Sequence, residues 1–237
     1  MRLAHCVISS VVLSLATAAI HAQAPAAPAE VARSIAGGGI TVPGWEGKID
    51  DDAAKQGQTV KDGKLAPEGA GMRVTTGPAV SYWNPKNKVT GDYTVSATFN
   101  EPKFMNLNTH PHPYGIFIGG NDLGTPQQSL IYCAAYGNGM FIVRGFGPDA
   151  FQMDGRRGEA SPAVHKAAAV GEPVTQDIAM SVKGGTVTCS INGTVVATYD
   201  KAAVVTAGKL KSTDGVYGIR FAHNTDAVVT NLKVTKP

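Results

Sequence analysis

What most restricts this chain is a two-residue rhythm. In Tyr93-Thr-Val95-Ser-Ala97-Thr-Phe99 every second residue is apolar and the hydroxyls fall between. Successive side chains of an extended backbone point to opposite sides, so this stretch predicts a strand with one face in a core and one in water. The same reading applies to Tyr114-Gly-Ile116-Phe-Ile118, to Ile178-Ala-Met180-Ser-Val182 and to Val228-Val-Thr230-Asn-Leu232-Lys-Val234. Reversal signals stand between such runs. Asn138-Gly139 separates residues 130–136 from 140–146, and Asn192-Gly193 separates 186–191 from 194–199. Asn-Gly suits a tight hairpin because both turn positions need positive φ. Gly184-Gly185 predicts a third hairpin of that kind. Only residues 163–170, around Ala167-Ala168-Ala169, predict a helix, and a short one. Many short strands, frequent turns and almost no helix point to an all-β, two-sheet antiparallel sandwich and away from an α/β enzyme. The chain has no internal repeat, which argues against a propeller or β-helix.

The amino-terminal residues set where that fold begins. Arg2 is followed by an apolar run from Val7 to Ile20, broken only by small hydroxyls, and then by His21-Ala22. A basic start, an apolar middle and a small residue at the end predict a cleaved signal peptide over 1–22. The run is too short to span a membrane, which takes about 20 apolar residues, and no later stretch approaches that length. Residues 23–39, rich in Ala, Pro and Gly, predict a flexible linker. Residues 40–237 then form a single domain, long enough to bury its own core. The expected location is the periplasm or the extracellular space. Cys6 leaves with the signal peptide. Cys133 and Cys189 fall on the apolar sides of their strands, which fits either an inter-sheet disulfide or two separate buried thiols. The formal net charge is +3, with lysines scattered through turns. Nucleic acid is therefore not an expected partner, since such binders gather Lys and Arg on one face. Arg156-Arg157, the one adjacent arginine pair, reads as a solvated loop.

From Val174 onward the chain runs strand, Gly184-Gly185, V-T-C-S-I-N-G-T-V-V, a loop, G-V-Y-G-I-R-F-A-H-N and a closing V-V-T-N-L-K-V. This half resembles the carboxy-terminal half of concanavalin A-like lectin/glucanase jelly rolls, particularly secreted bacterial domains of the 3-keto-disaccharide hydrolase type. The amino-terminal half resembles them through Val60-Lys-Asp-Gly-Lys-Leu65, Tyr93-Thr-Val95 and Tyr114-Gly-Ile116. The resemblance implies a jelly-roll sandwich that presents a curved sheet, whose outward side chains meet a ligand.

Outward polar and aromatic residues are accordingly the candidate site. Tyr132 and Tyr136 share a face with Ala134, opposite Cys133, and Arg220 shares one with Gly218 and Ala222; Arg144 follows Ile142 by two. Aromatic faces stack on sugar C–H surfaces and arginine bonds to hydroxyls, so these residues fit a glycan groove. The competing reading is ordinary exposed strand positions, where tyrosine is favoured by β propensity. In Asn108-Thr-His110-Pro-His112-Pro-Tyr114 the two prolines stiffen a loop and remove two amide donors. This segment, with His112 and Tyr114, reads either as a rim of the binding face or as a merely structural loop. His110 and His112 could supply two metal ligands, but zinc needs at least three from the protein, and His165 or His223 lack a supporting motif. No metal or cofactor is expected. A structural calcium in the turns at 119–124 or Asp50-Asp51-Asp52 is the one open exception, without regular ligand spacing.

Glycosidic hydrolysis needs two carboxylates about 5–9.5 Å apart, and the E-x-D-x-x-E strand of jelly-roll glucanases is absent. Nor is there a G-x-S-x-G elbow or a P-loop. The first expectation is an exported carbohydrate-binding domain or accessory module, with a glycan or small sugar as partner. The second is a glycosidase or lyase using loop-borne Asp122, Asp149 or Asp154, with His110 or His112. The third is a structural, envelope-associated protein. Whether the chain is an enzyme stays open at this point.

Overall fold

The computed structural model describes residues 31–154 and 157–237. The expected signal peptide and residues 23–30 of the expected linker lie outside the described residues, as does Arg156. Strands occupy β1 (Gly39–Ile40), β2 (Glu46–Ile49), β3 (Lys64–Glu68), β4 (Gly71–Thr75), β5 (Val80–Val89), β6 (Tyr93–Glu101), β7 (Tyr114–Asn121) and β8 (Ser129–Tyr136). They continue as β9 (Met140–Phe146), β10 (Ala150–Gln152), β11 (Glu159–Ala160), β12 (Val174–Lys183), β13 (Thr186–Ile191), β14 (Thr194–Asp200), β15 (Gly215–Phe221) and β16 (Asp226–Thr235). They form two stacked sheets. The back sheet runs β1-β3-β4-β16-β6-β12-β13-β14, and the front sheet runs β10-β9-β8-β7-β15-β5-β2, with β11 also on β9. The chain is thus an all-β antiparallel sandwich, with the short β1–β3 pair parallel.

Alternation accounts for the back sheet. Strand β6 alternates buried and half-buried residues along its whole length, and the inward residues of β6 and β12 meet those of the front sheet. Phe99, Tyr114 and Phe221 form a ring cluster between the layers, with centroids 5.7–6.0 Å apart. Cys133 on β8 and Cys189 on β13 are joined by a disulfide across the core, with Cα atoms 5.9 Å apart, within the range such a bridge requires.

The front sheet departs from simple alternation. Strands β7 and β8 are buried on both faces, all but their last residues. Their outward residues Phe117, Leu130, Tyr132 and Ala134 join Trp83 of β5 and Ile142 of β9 in a second apolar cluster. Runs such as Leu130-Ile-Tyr-Cys-Ala-Ala carry the corresponding signal, since near-continuous apolarity marks a strand covered on both sides.

The turns divide likewise. Asn192 and Gly193 both have positive φ, 50° and 81°, and Ile191 pairs with Thr194, giving the expected two-residue hairpin. At the other Asn-Gly, Tyr136 pairs with Met140, so the loop holds Gly137, Asn138 and Gly139, and of these only Gly139 has positive φ.

The expected helix over 163–170 is absent. Gln176, buried on β12, takes both backbone groups of His165: the amide donates to Oε1 at 3.0 Å, and Nε2 donates to the carbonyl at 2.8 Å. Lys166 also bridges to Asn138. These tertiary bonds hold the alanine-rich segment extended against its propensity. Residues 31–39 of the expected linker are bonded to the domain. Asn224 accepts from the Arg33 amide at 2.9 Å and donates to the Val31 carbonyl at 3.1 Å, and Gly39 donates to the Gly63 carbonyl at 2.7 Å.

Candidate functional site

Strand pairing carries the outward residues of the front sheet into two rows. One row is Ser81, Arg220, Gly115, Ala134 and Ile142; the next is Trp83, Gly218, Phe117, Tyr132 and Arg144. Gly115 is required by close packing, because a Cβ there would meet the Cys133 carbonyl oxygen at 1.9 Å. Loops raise walls on either side of this floor. The result is two adjoining depressions of about 510 and 520 Å³ that share Asp50, Tyr132, Arg144 and Arg220. Volumes of this size suit small ligands.

Arg220 sits where the two depressions meet. Its η nitrogens donate to both Asp50 carboxylate oxygens, at 2.7 and 2.6 Å, a bidentate pair of the strong kind. The guanidinium lies 5.5 Å from the Tyr132 ring centroid and 5.3 Å from that of Phe146. Burial opposes its charge, and the Asp50 carboxylate more than offsets this, holding the Arg220 pKa above its ordinary value. Burial also pushes the Tyr132 hydroxyl upward, against the lowering effect of Arg220. Both side chains are nearly enclosed, at 6% and 8% exposure, yet they lie on the outer face of the sheet and not between the layers.

The two halves differ in charge. One contains Asp51, Asp52 and Asp149 beside Lys48 and Lys55, and Lys48 pairs with Asp51 while Lys55 pairs with Asp52. The other contains Arg144, Arg157 and the histidines 110, 112 and 223, with Tyr136. Arg144 Nε donates to the Gln152 side-chain oxygen at 2.7 Å, which fixes the plane of the guanidinium. His112 Nδ1 is 2.6 Å from the His223 carbonyl, so it must be the donor, and His112 Nε2 meets His110 Nε2 at 2.8 Å. The His112 and His223 rings lie 4.0 Å apart.

Five of the six residues singled out by sequence therefore converge on the groove: Tyr132, Tyr136, Arg144, Arg220 and His112. Tyr114 is a correction. It is fully buried in the inter-sheet core, because it shares strand parity with Ile116 and Ile118 and so points inward. The loop acids do not converge. Asp149 lines the groove, Asp122 is bonded by Lys211 elsewhere, and Asp154 accepts a hydrogen bond from Tyr199. The two turns weighed for calcium have committed their carboxylates to Lys48, Lys55, Lys211 and Arg220, which does not fit a cation site. Among the described residues, no group of three or more His, Cys, Asp or Glu is arranged to hold a metal.

Sequence reading missed Asp50, Phe146, Arg157 and His223 as groove residues. His223 follows Phe221 by two at the end of β15, which places it beyond the sheet but beside Arg220. Asp50 offered no local signal, since its partner is 170 positions away.

No protein-family model matches the chain, and no curated protein matches it. Solved structures do. A carbohydrate-binding module, CBM66 from Bacillus subtilis, is similar over 84% of this chain and 99% of its own, with TM-score 0.53 and 9% identity. A Bacillus subtilis protein of unknown function with a galectin-like fold covers 81% and 89%, with TM-score 0.54 and 14% identity. The exoplasmic/lumenal domain of VIP36 in its Ca2+/Man-bound form covers 83% and 84%, with TM-score 0.50 and 14% identity. At these identities the likeness concerns architecture, and it agrees with the two-sheet topology described above: this chain has the concanavalin A-like, galectin-like jelly-roll fold.

Proposed function

We propose that this chain is a carbohydrate-binding domain without catalytic activity of its own, and that it acts outside the cytoplasm. The observation that carries the reading is the groove on the front sheet, where the half-buried Tyr136 and Phe146 supply aromatic surface, over a floor that includes the nearly enclosed Tyr132, beside Arg144 and the histidines. Aromatic area with a few fixed polar groups is the composition of a small-ligand site, and a sugar, with its C–H faces and hydroxyls, fits it. Support also comes from the fold, shared with a carbohydrate-binding module and a mannose-bound lumenal domain. The absence of a converging carboxylate pair among Asp122, Asp149 and Asp154 weighs against the glycosidase alternative. Export is supported by the basic-then-apolar pattern of residues 1–22 and by the Cys133–Cys189 disulfide, since such bridges persist in oxidising compartments.

The test is a glycan array probed with the processed domain, followed by titration calorimetry on each hit. Binding to at least one saccharide, weakened about tenfold or more by Tyr136→Ala, is expected. Hits unaffected by Tyr136→Ala and Arg144→Ala together, or no hits, would refute the reading.

A further inference from the structure

The charge asymmetry of the groove bears on which saccharide it takes, and the inference rests on the saccharide-binding reading above. The basic half is lined by Arg144, Arg157, Arg220 and three histidines, and among the described residues Asp50 is the one carboxylate that lines it. Asp50 is already committed, with both oxygens on the Arg220 fork. The chain as a whole carries 21 Lys and Arg against 18 Asp and Glu, so this concentration is local and not a background of basic residues.

The donors and acceptors are similarly one-sided. A sugar hydroxyl both donates and accepts, and a neutral sugar is best held where carboxylates or amide oxygens take its protons. Guanidinium groups only donate. Arg144 is half-buried, and its Nε–H is held by Gln152. Its η nitrogens form no ion pair with a carboxylate among the described residues, and Arg157 likewise forms none. A wall of this kind matches a group that only accepts and carries negative charge. The planar fork of arginine fits a carboxylate or a sulfate oxygen pair, and partial burial strengthens the attraction.

We propose that the basic half of the groove takes the anionic group of an acidic saccharide, a uronate carboxylate or a sulfate ester, with the Arg144 fork as its main contact. The sugar ring then lies along Tyr136, and Arg157 closes the exposed side.

The experiment is titration calorimetry of the processed domain against oligogalacturonate, its fully methyl-esterified counterpart, a carrageenan oligosaccharide, which carries sulfate and no carboxylate, and neutral cello-oligosaccharide. Methyl esterification removes the charge and keeps the ring. Binding of either acidic probe, at least about tenfold tighter than the esterified or neutral ones, is expected, and the tighter of the two identifies carboxylate or sulfate. Arg144→Gln and Arg157→Ala should each weaken acidic binding, and raising salt from about 50 to about 500 mM should do the same. Arg144→Lys, which keeps the charge but not the fork, should recover only part of the loss. Unchanged thermal unfolding of each variant keeps the comparison interpretable, and Arg157 is exposed, so its replacement leaves the fold intact. Equal affinity for acidic and esterified probes would overturn the inference while leaving saccharide binding in place. Failure of all four probes to bind, with the glycan array also blank, would remove both.

Discussion

Glu101 at the end of β6 offers a sharp test of the packing beneath the groove. Its side chain is 4% exposed, and its Oε1 accepts the Met105 amide at 3.1 Å. Burial raises its pKa from 4.5 to about 7, opposed in part by the Met105 amide and the Tyr114 hydroxyl and assisted by Asp226. The sign follows from proton linkage. Below the unfolded value both states are protonated, and the stability associated with the raised pKa is fully present. Between 4.5 and about 7 the unfolded chain ionises first, so stability falls as pH rises. Above that range both states are charged and the loss is complete. Two and a half units at 1.36 kcal/mol each amount to about 3 kcal/mol. Glu101→Gln keeps an oxygen for the Met105 amide and cannot ionise. Urea unfolding of wild type and variant at several pH values between 4.5 and 8 should give a difference that grows with pH, reaching about 3 kcal/mol in favour of glutamine. All other titrating groups are common to both proteins and cancel. A difference below about 1 kcal/mol at every pH, or a carboxyl carbon resonance titrating near the ordinary glutamate value, would refute the account.

Three further outcomes follow from particular contacts. Replacing Cys133 and Cys189 by alanine opens a loop spanning 56 positions, which should cost about 4 kcal/mol on the chain-entropy relation and shift the urea midpoint accordingly. Asp50→Asn leaves the enclosed Arg220 without its counter-charge and should cost about 3 kcal/mol, read by the same assay. Gly115→Ala drives a Cβ into the Cys133 carbonyl, whereas Gly185→Ala meets nothing within 4 Å; the first should lower stability by about 3 kcal/mol and the second by less than about 0.5 kcal/mol.

The back sheet was readable because its strands separate wet and dry faces residue by residue, so parity alone assigns Val95 and Phe99 inward. The same rule assigns Tyr114 inward beside Ile116, and placing it on the rim of a groove gave local chemistry precedence over parity. Tyr132, Arg144 and Arg220 were readable as outward residues, but their mutual arrangement was not. It depends on strand order, which sets β9 beside β8 and β15 two strands away. The 163–170 segment was misread because alanine-rich propensity is weak beside the paired bonds that Gln176 makes from another strand. Asp50 and His223 reach the site from loops at opposite ends of the sequence, where no periodic pattern constrains position.

The disulfide has a mechanical consequence for whatever the groove holds. Cys133 sits between Tyr132 and Ala134, so the strand that floors the groove is covalently welded to the opposite layer. The layers cannot shear past one another, and an arriving guest meets a surface already in its final shape. Little affinity is then spent on ordering the floor. Adaptation to different guests falls to the surrounding loops, and reducing the bridge should soften recognition even where every contacting side chain is retained.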